Sequence, residues 1–214
     1  MKNEAHEAPR ILPKKVRAFA LYLMDNVSSL FIKLHISPNA LSFCALLAGA
    51  GACILFSLEK LLWGGISIVI CGLFDIIDGQ VAESTNRKSL FGAMLDSTSD
   101  RYSEFFIYLG LAVHFRNHWA LWITLLTILG SSMVSYTRAR AEGLGIECRI
   151  GIMQRAERMV FLSAGALSGV LFKIFDPLMI GVLSTIAVAS NITAIQRTLY
   201  VRKVEKLMIS KKET

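Results

Sequence analysis

The chain has 214 residues, 54% of them hydrophobic, and a formal net charge of +7. Its charges sit in blocks between apolar runs of about 20 residues, the length that crosses a bilayer as a helix. That distribution excludes an ordinary water-soluble globule, and it assigns the basic excess to membrane headgroups rather than to nucleic acid.

No cleavable signal peptide is read at the start, because the first 17 residues are polar and basic and contain Pro9 and Pro13. From Pro13 to Ile36 the chain mixes Lys14, Lys15, Arg17 and Lys33 with Phe19, Leu21, Leu30 and Ile32. The mixture predicts an N-terminal amphipathic juxtamembrane helix at the membrane surface, its basic groups near anionic headgroups. Ser37-Pro38-Asn39 then opens the first span. Six spanning helices are expected, over Ala40–Leu58, Leu61–Ala82, Gly92–Phe115, His118–Ala141, Arg155–Phe175 and Pro177–Tyr200. Lipid offers backbone amides no partners, so the expected fold is an all-α integral membrane protein, a bundle of six transmembrane helices. The organisation read from this is a cytoplasmic segment over 1–36, a membrane domain over 37–205 and a basic tail over 206–214.

Basic residues alternate between the connections. The N-terminal segment, the Arg87-Lys88 turn, the stretch from Arg138 to Arg158 and the tail with Arg202, Lys203, Lys206, Lys211 and Lys212 are rich in them. The opposite connections, around Glu59-Lys60, Arg116 and Lys173, are short and nearly neutral. The positive-inside rule then puts both termini in the cytoplasm and the chain in the cytoplasmic membrane. Trp63, Trp119 and Trp122 fall near the predicted outer helix ends, as an interfacial belt does. Cys44, Cys53 and Cys71 lie in apolar runs and no CxxC spacing occurs, so they and Cys148 are read as small buried hydrophobes. His6, His35, His114 and His118 fall in termini, surface segments or connections and are read as bystanders.

The informative stretch is Asp75-Ile-Ile-Asp78-Gly79-Gln-Val-Ala82, followed by Gly92-Ala-Met-Leu-Asp96-Ser-Thr-Ser-Asp100. Asp75 and Asp78 lie about 60° apart on one helix, and Asp96 and Asp100 about 40° apart on the next. The short link around Thr85–Lys88 predicts that these helices are antiparallel neighbours whose four carboxylates meet at their cytoplasmic ends. Each ionisable group at membrane depth costs roughly 2.5–3.5 kcal/mol on insertion scales, and like charges add repulsion. The cluster therefore implies a cation, and all-oxygen ligation points to Mg2+ or Mn2+ rather than zinc. Gly79 and Gly92 remove a side chain beside the carboxylates on each helix, and Ala82 keeps the same face shallow, which suits a nucleotide pocket.

Asp-x2-Asp-Gly-x2-Ala, then Gly-x3-Asp-x3-Asp after nine residues, resembles the signature of the CDP-alcohol phosphatidyltransferase family. The resemblance implies that Asp75, Asp78 and Asp96 hold the metal bridging a CDP diphosphate, with Asp100 beside them in the metal cluster and acting as general base. It implies that Asp75, Asp78, Gly79, Ala82, Gly92 and Asp96 bind CDP. One position departs: the family carries Arg directly after the alanine, and this chain has Glu83. The family likeness also implies a homodimer.

The acceptor is read from the second half, where five arginines fall between positions 138 and 158. Arginine forks suit phosphate bidentately. Ser135, Arg138, Arg155 and Arg197 match the acceptor-phosphate positions of the inositol-phosphate-using branch of the family, which this region resembles. The implied partners are a CDP-linked lipid (CDP-diacylglycerol or CDP-archaeol) and a phosphorylated alcohol, inositol 1-phosphate, with release of CMP. Glycerol 3-phosphate is the second candidate acceptor, as in phosphatidylglycerophosphate synthases, and coupling of CDP-inositol to inositol phosphate is the third. Outside enzymology, the aspartates would serve a cation transporter, although the cluster lies at one helix end and no matching acidic residues continue towards the outer face.

Overall fold

The structure is a computed structural model that describes residues 27–85 and 89–210. Residues 27–33 are helical, and six long helices follow: α1 (Pro38–Ser57), α2 (Leu61–Ser84), α3 (Leu90–His114), α4 (Ala120–Gly143), α5 (Arg155–Leu171) and α6 (Phe175–Ser210). No strand occurs among the described residues. The helices start where local chemistry tells them to. Ser37 accepts from the Ala40 amide ahead of α1, Ser89 accepts from the Gly92 amide ahead of α3, and Gln154 and Glu157 form a reciprocal capping box on α5. Glu59 and Lys173 take left-handed backbone (φ 59° and 57°) and turn the chain after α1 and α5.

Five of these helices begin and end within a few residues of the expected spans. The sixth runs ten residues past Tyr200, so Arg202, Lys203 and Lys206 ride on the end of α6 and the expected tail is helical as far as Ser210. Most of the expected amphipathic helix from Pro13, and the Arg87-Lys88 turn, lie outside the described residues.

Four helices, α1, α2, α4 and α6, are long and apolar enough to cross a membrane. The other two are weakened by the residues of the site: α3 carries Asp96, Asp100, Arg101 and Glu104, and α5 has 17 residues beginning with Arg155. Apolar side chains such as Phe43, Leu47, Trp63, Trp122, Leu126 and Ile195 face outwards, while Phe56, Ile68, Leu111, Leu162, Met179 and Leu183 fill the interior. This is the architecture of an all-α membrane protein.

The helix order in space corrects one expectation. Although a short link joins α2 to α3, they touch little directly, because α1 packs against both of them. Small residues make this possible. A Cβ on Gly49 would come 2.7 Å from the Ser103 Cα, and one on Gly110 would come 2.6 Å from the Cys53 Cα, so α1 and α3 meet backbone to backbone. On the other side, α5 lies against α2 and α6, and α4 against α6.

At the end of the bundle remote from the aspartates, His114 is no bystander to the fold. Its Nδ1 lies 2.7 Å from Glu59 Oε2 and its Nε2 2.9 Å from Asp176 Oδ1, joining the α1–α2 turn, the end of α3 and the start of α6.

Gly110→Ile forces α1 and α3 apart. Overpacking of this kind costs roughly 1–3 kcal/mol, which lowers Tm by about 2–10 °C in a chain of this size. A thermal melt in detergent reads the shift. Gly72→Ala, whose Cβ meets nothing within 4 Å, is the control that leaves Tm unchanged or raised.

A candidate carboxylate and arginine site

The C-terminal half of α2 and the N-terminal half of α3 deliver the four aspartates to one place. Asp75, Asp78 and Asp96 each offer one carboxylate oxygen, and the three oxygens lie within 4.8 Å of one another. Asp78 is buried, and Asp75 and Asp96 are partly so. Three hard oxygen donors at this separation suit a small divalent cation that keeps some water ligands, as Mg2+ and Mn2+ do. From α1, buried Ser42 donates a hydrogen bond to Asp78 Oδ2 at 2.6 Å. The bond fixes one carboxyl oxygen and orients the other. Ser42 was not singled out in the sequence, where it is one small residue in an apolar helix four positions after Pro38.

Asp100 stands outside that three-oxygen group. Arg155, the first residue of α5, places Nη1 2.6 Å from Asp75 Oδ1 and 2.9 Å from Asp100 Oδ1. One guanidinium nitrogen thus bridges carboxylates from α2 and α3. Its Nε and Nη2 are buried and make no hydrogen bond within the protein, which leaves two cationic donors for an anion at the site. One turn deeper, Arg158 forms a bidentate pair with Glu104 at 2.5 and 2.8 Å. Tyr108 donates to Glu104 Oε1 at 3.2 Å, and Ser131 of α4 donates to the Tyr108 hydroxyl at 3.1 Å. Glu104 was missed in the sequence. Its signal is its place four residues after Asp100, on the face that already carries Asp96.

The remaining sequence-derived residues are placed less uniformly. Arg197 is buried; its Nε donates to the Ile150 carbonyl at 2.9 Å and its Nη1 donates to the Val134 carbonyl. It ties α6 to α4 and to the connection that precedes α5. In that connection Gly151, at φ 126°, packs against Thr193, and the Thr193 hydroxyl accepts from the Met153 amide at 3.2 Å. Those contacts set where α5, and therefore Arg155, begins. Arg138 is exposed on α4 and its Nε donates to Glu142 at 2.8 Å, while Ser135 is partly buried one turn earlier. A Cβ on Gly79 would meet nothing within 4 Å, whereas one on Gly92 would sit 3.0 Å from Ser89 Oγ and 3.3 Å from Asn39 Oδ1. Gly79 therefore borders open space, and Gly92 lets the start of α3 close on α1. Ala82 is partly buried and Glu83 exposed at the end of α2. The structure thus gathers Asp75, Asp78, Asp96, Asp100 and Arg155, and holds Arg138 and Arg197 on other partners.

Residues 35–196 match the family model described as CDP-alcohol phosphatidyltransferase. An archaetidylinositol phosphate synthase from Methanothermobacter thermautotrophicus is 39% identical over 74% of this chain and 76% of its own. A phosphatidylinositol phosphate synthase from Mycobacterium tuberculosis is 32% identical over 87% of this chain and 88% of its own. The crystal structure of the Mycobacterium tuberculosis phosphatidylinositol phosphate synthase with CDP-DAG bound is similar at a TM-score of 0.74 and 29% identity, over 82% of this chain and 92% of that one. The same enzyme in complex with manganese and citrate gives a TM-score of 0.73 at 28% identity, over 82% and 87%.

Ser42→Ala weakens Mn2+ binding by about 10-fold, the low end of what loss of an outer hydrogen-bonding partner does to a metal site. Asp78→Asn weakens it further. Titration of the free Mn2+ EPR signal against the detergent-purified protein, with no substrate present, measures both.

Proposed function

The chain belongs to the CDP-alcohol phosphatidyltransferase family and is an enzyme of that class, and on that footing we propose that it moves a phosphatidyl-type group from a CDP-lipid to inositol 1-phosphate with release of CMP. One observation carries the reading: the three-oxygen group of Asp75, Asp78 and Asp96 lies next to Asp100, and between Asp75 and Asp100 sits an arginine with two uncommitted donors. A carboxylate cluster alone suits any phosphoryl chemistry. A cationic anion-receiving group beside the base suits an acceptor that itself carries phosphate.

In this reading Asp75, Asp78 and Asp96 hold Mg2+ or Mn2+ against the CDP diphosphate. The ion, when bound, neutralises charge that develops on the diphosphate oxygens. Gly79, Ala82 and Gly92 line the cytidine side, Gly79 leaving the room that a nucleotide needs. Asp100 takes the proton from the attacking hydroxyl as its oxygen bonds to the lipid-side phosphorus, and the bond from that phosphorus to the CMP oxygen breaks. Arg155 directs Nε and Nη2 at the acceptor phosphate, with Ser135, Arg138 and Arg197 further around the same end. Arg138 must leave Glu142 to take part, and it stands on the surface where such a movement is cheap. Arg197 contributes through the carbonyls it holds or through its remaining nitrogen. The names of the relatives, archaetidylinositol phosphate synthase and phosphatidylinositol phosphate synthase, support this acceptor.

The membrane arrangement belongs to the same reading. All six helices span the bilayer, α3 and α5 crossing as part of the bundle because their charges face one another. The site and both termini lie on the cytoplasmic side, as the basic connections imply, and the chain works as a homodimer.

Purified protein with CDP-diacylglycerol and Mg2+ or Mn2+ is expected to release CMP with inositol 1-phosphate and not with glycerol 3-phosphate, inositol or serine. Asp100→Asn lowers that rate by roughly 100-fold or more, the scale of lost general-base catalysis. Release with glycerol 3-phosphate overturns the acceptor and keeps the mechanism; no release with any of the four overturns the reading.

A further inference from the structure

α3 and α5 supply Asp100 and Arg155, yet α5 lays its backbone against α2 and α6 rather than along α3. Direct backbone contact between α5 and α3 is therefore slight, and two charged side-chain pairs join them beside the site. Arg155 meets Asp100 at 2.9 Å, and Arg158 meets Glu104 at 2.5 and 2.8 Å. The partners step together, three residues on along α5 and four along α3, so the second pair repeats the first one turn further from the start of α5.

The second pair is sealed. Arg158 is 0% exposed and Glu104 4%. Glu104 is held in turn by the Tyr108 hydroxyl, and Tyr108 by Ser131 of α4. Burying such a pair is weak evidence of a stability role, because apolar residues of similar volume often serve a fold equally well or better. What an arginine fork on a carboxylate provides is direction, two parallel hydrogen bonds that admit one geometry. That geometry passes to Arg155, less than one turn away on the same helix. The Glu104 carboxylate also attracts the Arg155 guanidinium, and Arg158 repels it.

We propose that Glu104 and Arg158 are positioning residues for the transfer: their buried fork sets α5 against α3 at the depth and rotation where Arg155 spans Asp75 and Asp100 and turns its two unpartnered donors to the acceptor phosphate. Neither residue touches substrate. The proposal rests on the reading that the acceptor is a phosphorylated alcohol received beside Asp100.

The test uses full-length protein in detergent and compares wild type with Arg158→Lys, which keeps the charge and loses the fork, and with the Glu104→Leu/Arg158→Met pair, which keeps the volume and loses both. The KM for inositol 1-phosphate, the KM for CDP-diacylglycerol, kcat and Tm are measured for each. Both variants are expected to raise the acceptor KM at least about 10-fold, the scale of losing one charge-assisted hydrogen bond to the phosphate. The KM for CDP-diacylglycerol rises less than the acceptor KM, because Arg155 touches one of the three converging aspartates, Asp75, and not Asp78 or Asp96. The apolar pair keeps Tm at or above that of wild type. An acceptor KM within about twofold of wild type in either folded variant overturns the proposal, and so does an equal rise in both KM values. If the apolar pair does not fold, Arg158→Lys decides by the same criteria. Failure of the underlying reading shows separately, in wild type. Wild-type turnover of glycerol 3-phosphate alone corrects the acceptor, and the comparison is then made with that substrate. Wild-type silence with every phosphorylated acceptor overturns both.

Discussion

The Arg155 guanidinium reaches Asp75 on α2 and Asp100 on α3 at 2.6 and 2.9 Å, and the rest of the site is arranged around the charge balance that this bridge begins. Two like charges within 4.8 Å repel by roughly 3.5 kcal/mol at an effective dielectric of about 20, and three aspartates are gathered within that distance here. Their partial burial between apolar helices limits screening by water. The carboxylates are answered separately: Ser42 donates to one oxygen of Asp78, Arg155 pairs with Asp75 and Asp100, and the oxygens that converge from Asp75, Asp78 and Asp96 are spaced to suit a divalent ion. Glu104, a turn deeper, is answered by Arg158.

That balance explains why α3 and α5 are the least lipid-like helices of the bundle. Their charges face each other across the interior, and α1, whose small residues let it lie against both α2 and α3, fills the space that the site keeps open between them. α1 thus contributes to the site as well as to packing. Its first turns bring Ser42 to Asp78 and Asn39 beside Gly92.

The arginines of the second half do different work from one another, although their spacing in the sequence treats them alike. Arg155 faces the carboxylates with donors to spare, Arg158 is closed in by Glu104, Arg138 is on the surface with Glu142, and Arg197 holds carbonyls of α4 and of the connection before α5. A count of positive charges near a membrane surface cannot separate these cases. The partner of each guanidinium comes from another helix, or from a turn of the same helix seen in three dimensions.

Much of the molecule was legible in the amino-acid order because its determinants are local. Apolar run length, the caps at Ser37 and Ser89 and the charge blocks between runs set five of the six helices, and the start of the sixth, to within a few residues. The i, i+3 and i, i+4 spacings put Asp75 with Asp78 and Asp96 with Asp100 on shared faces. The helix α6 continues ten residues past the expected span, because a basic stretch reads equally as tail or as exposed helix. Tertiary structure decided what depends on which helices touch. It set α1 between α2 and α3, brought Ser42 to Asp78, drew His114 to Glu59 and Asp176, and matched Glu104 with Arg158. The members of these pairs are separated by 36 to 62 residues in the chain. No periodicity spans such distances; only the packing of one helix against another chooses the partner.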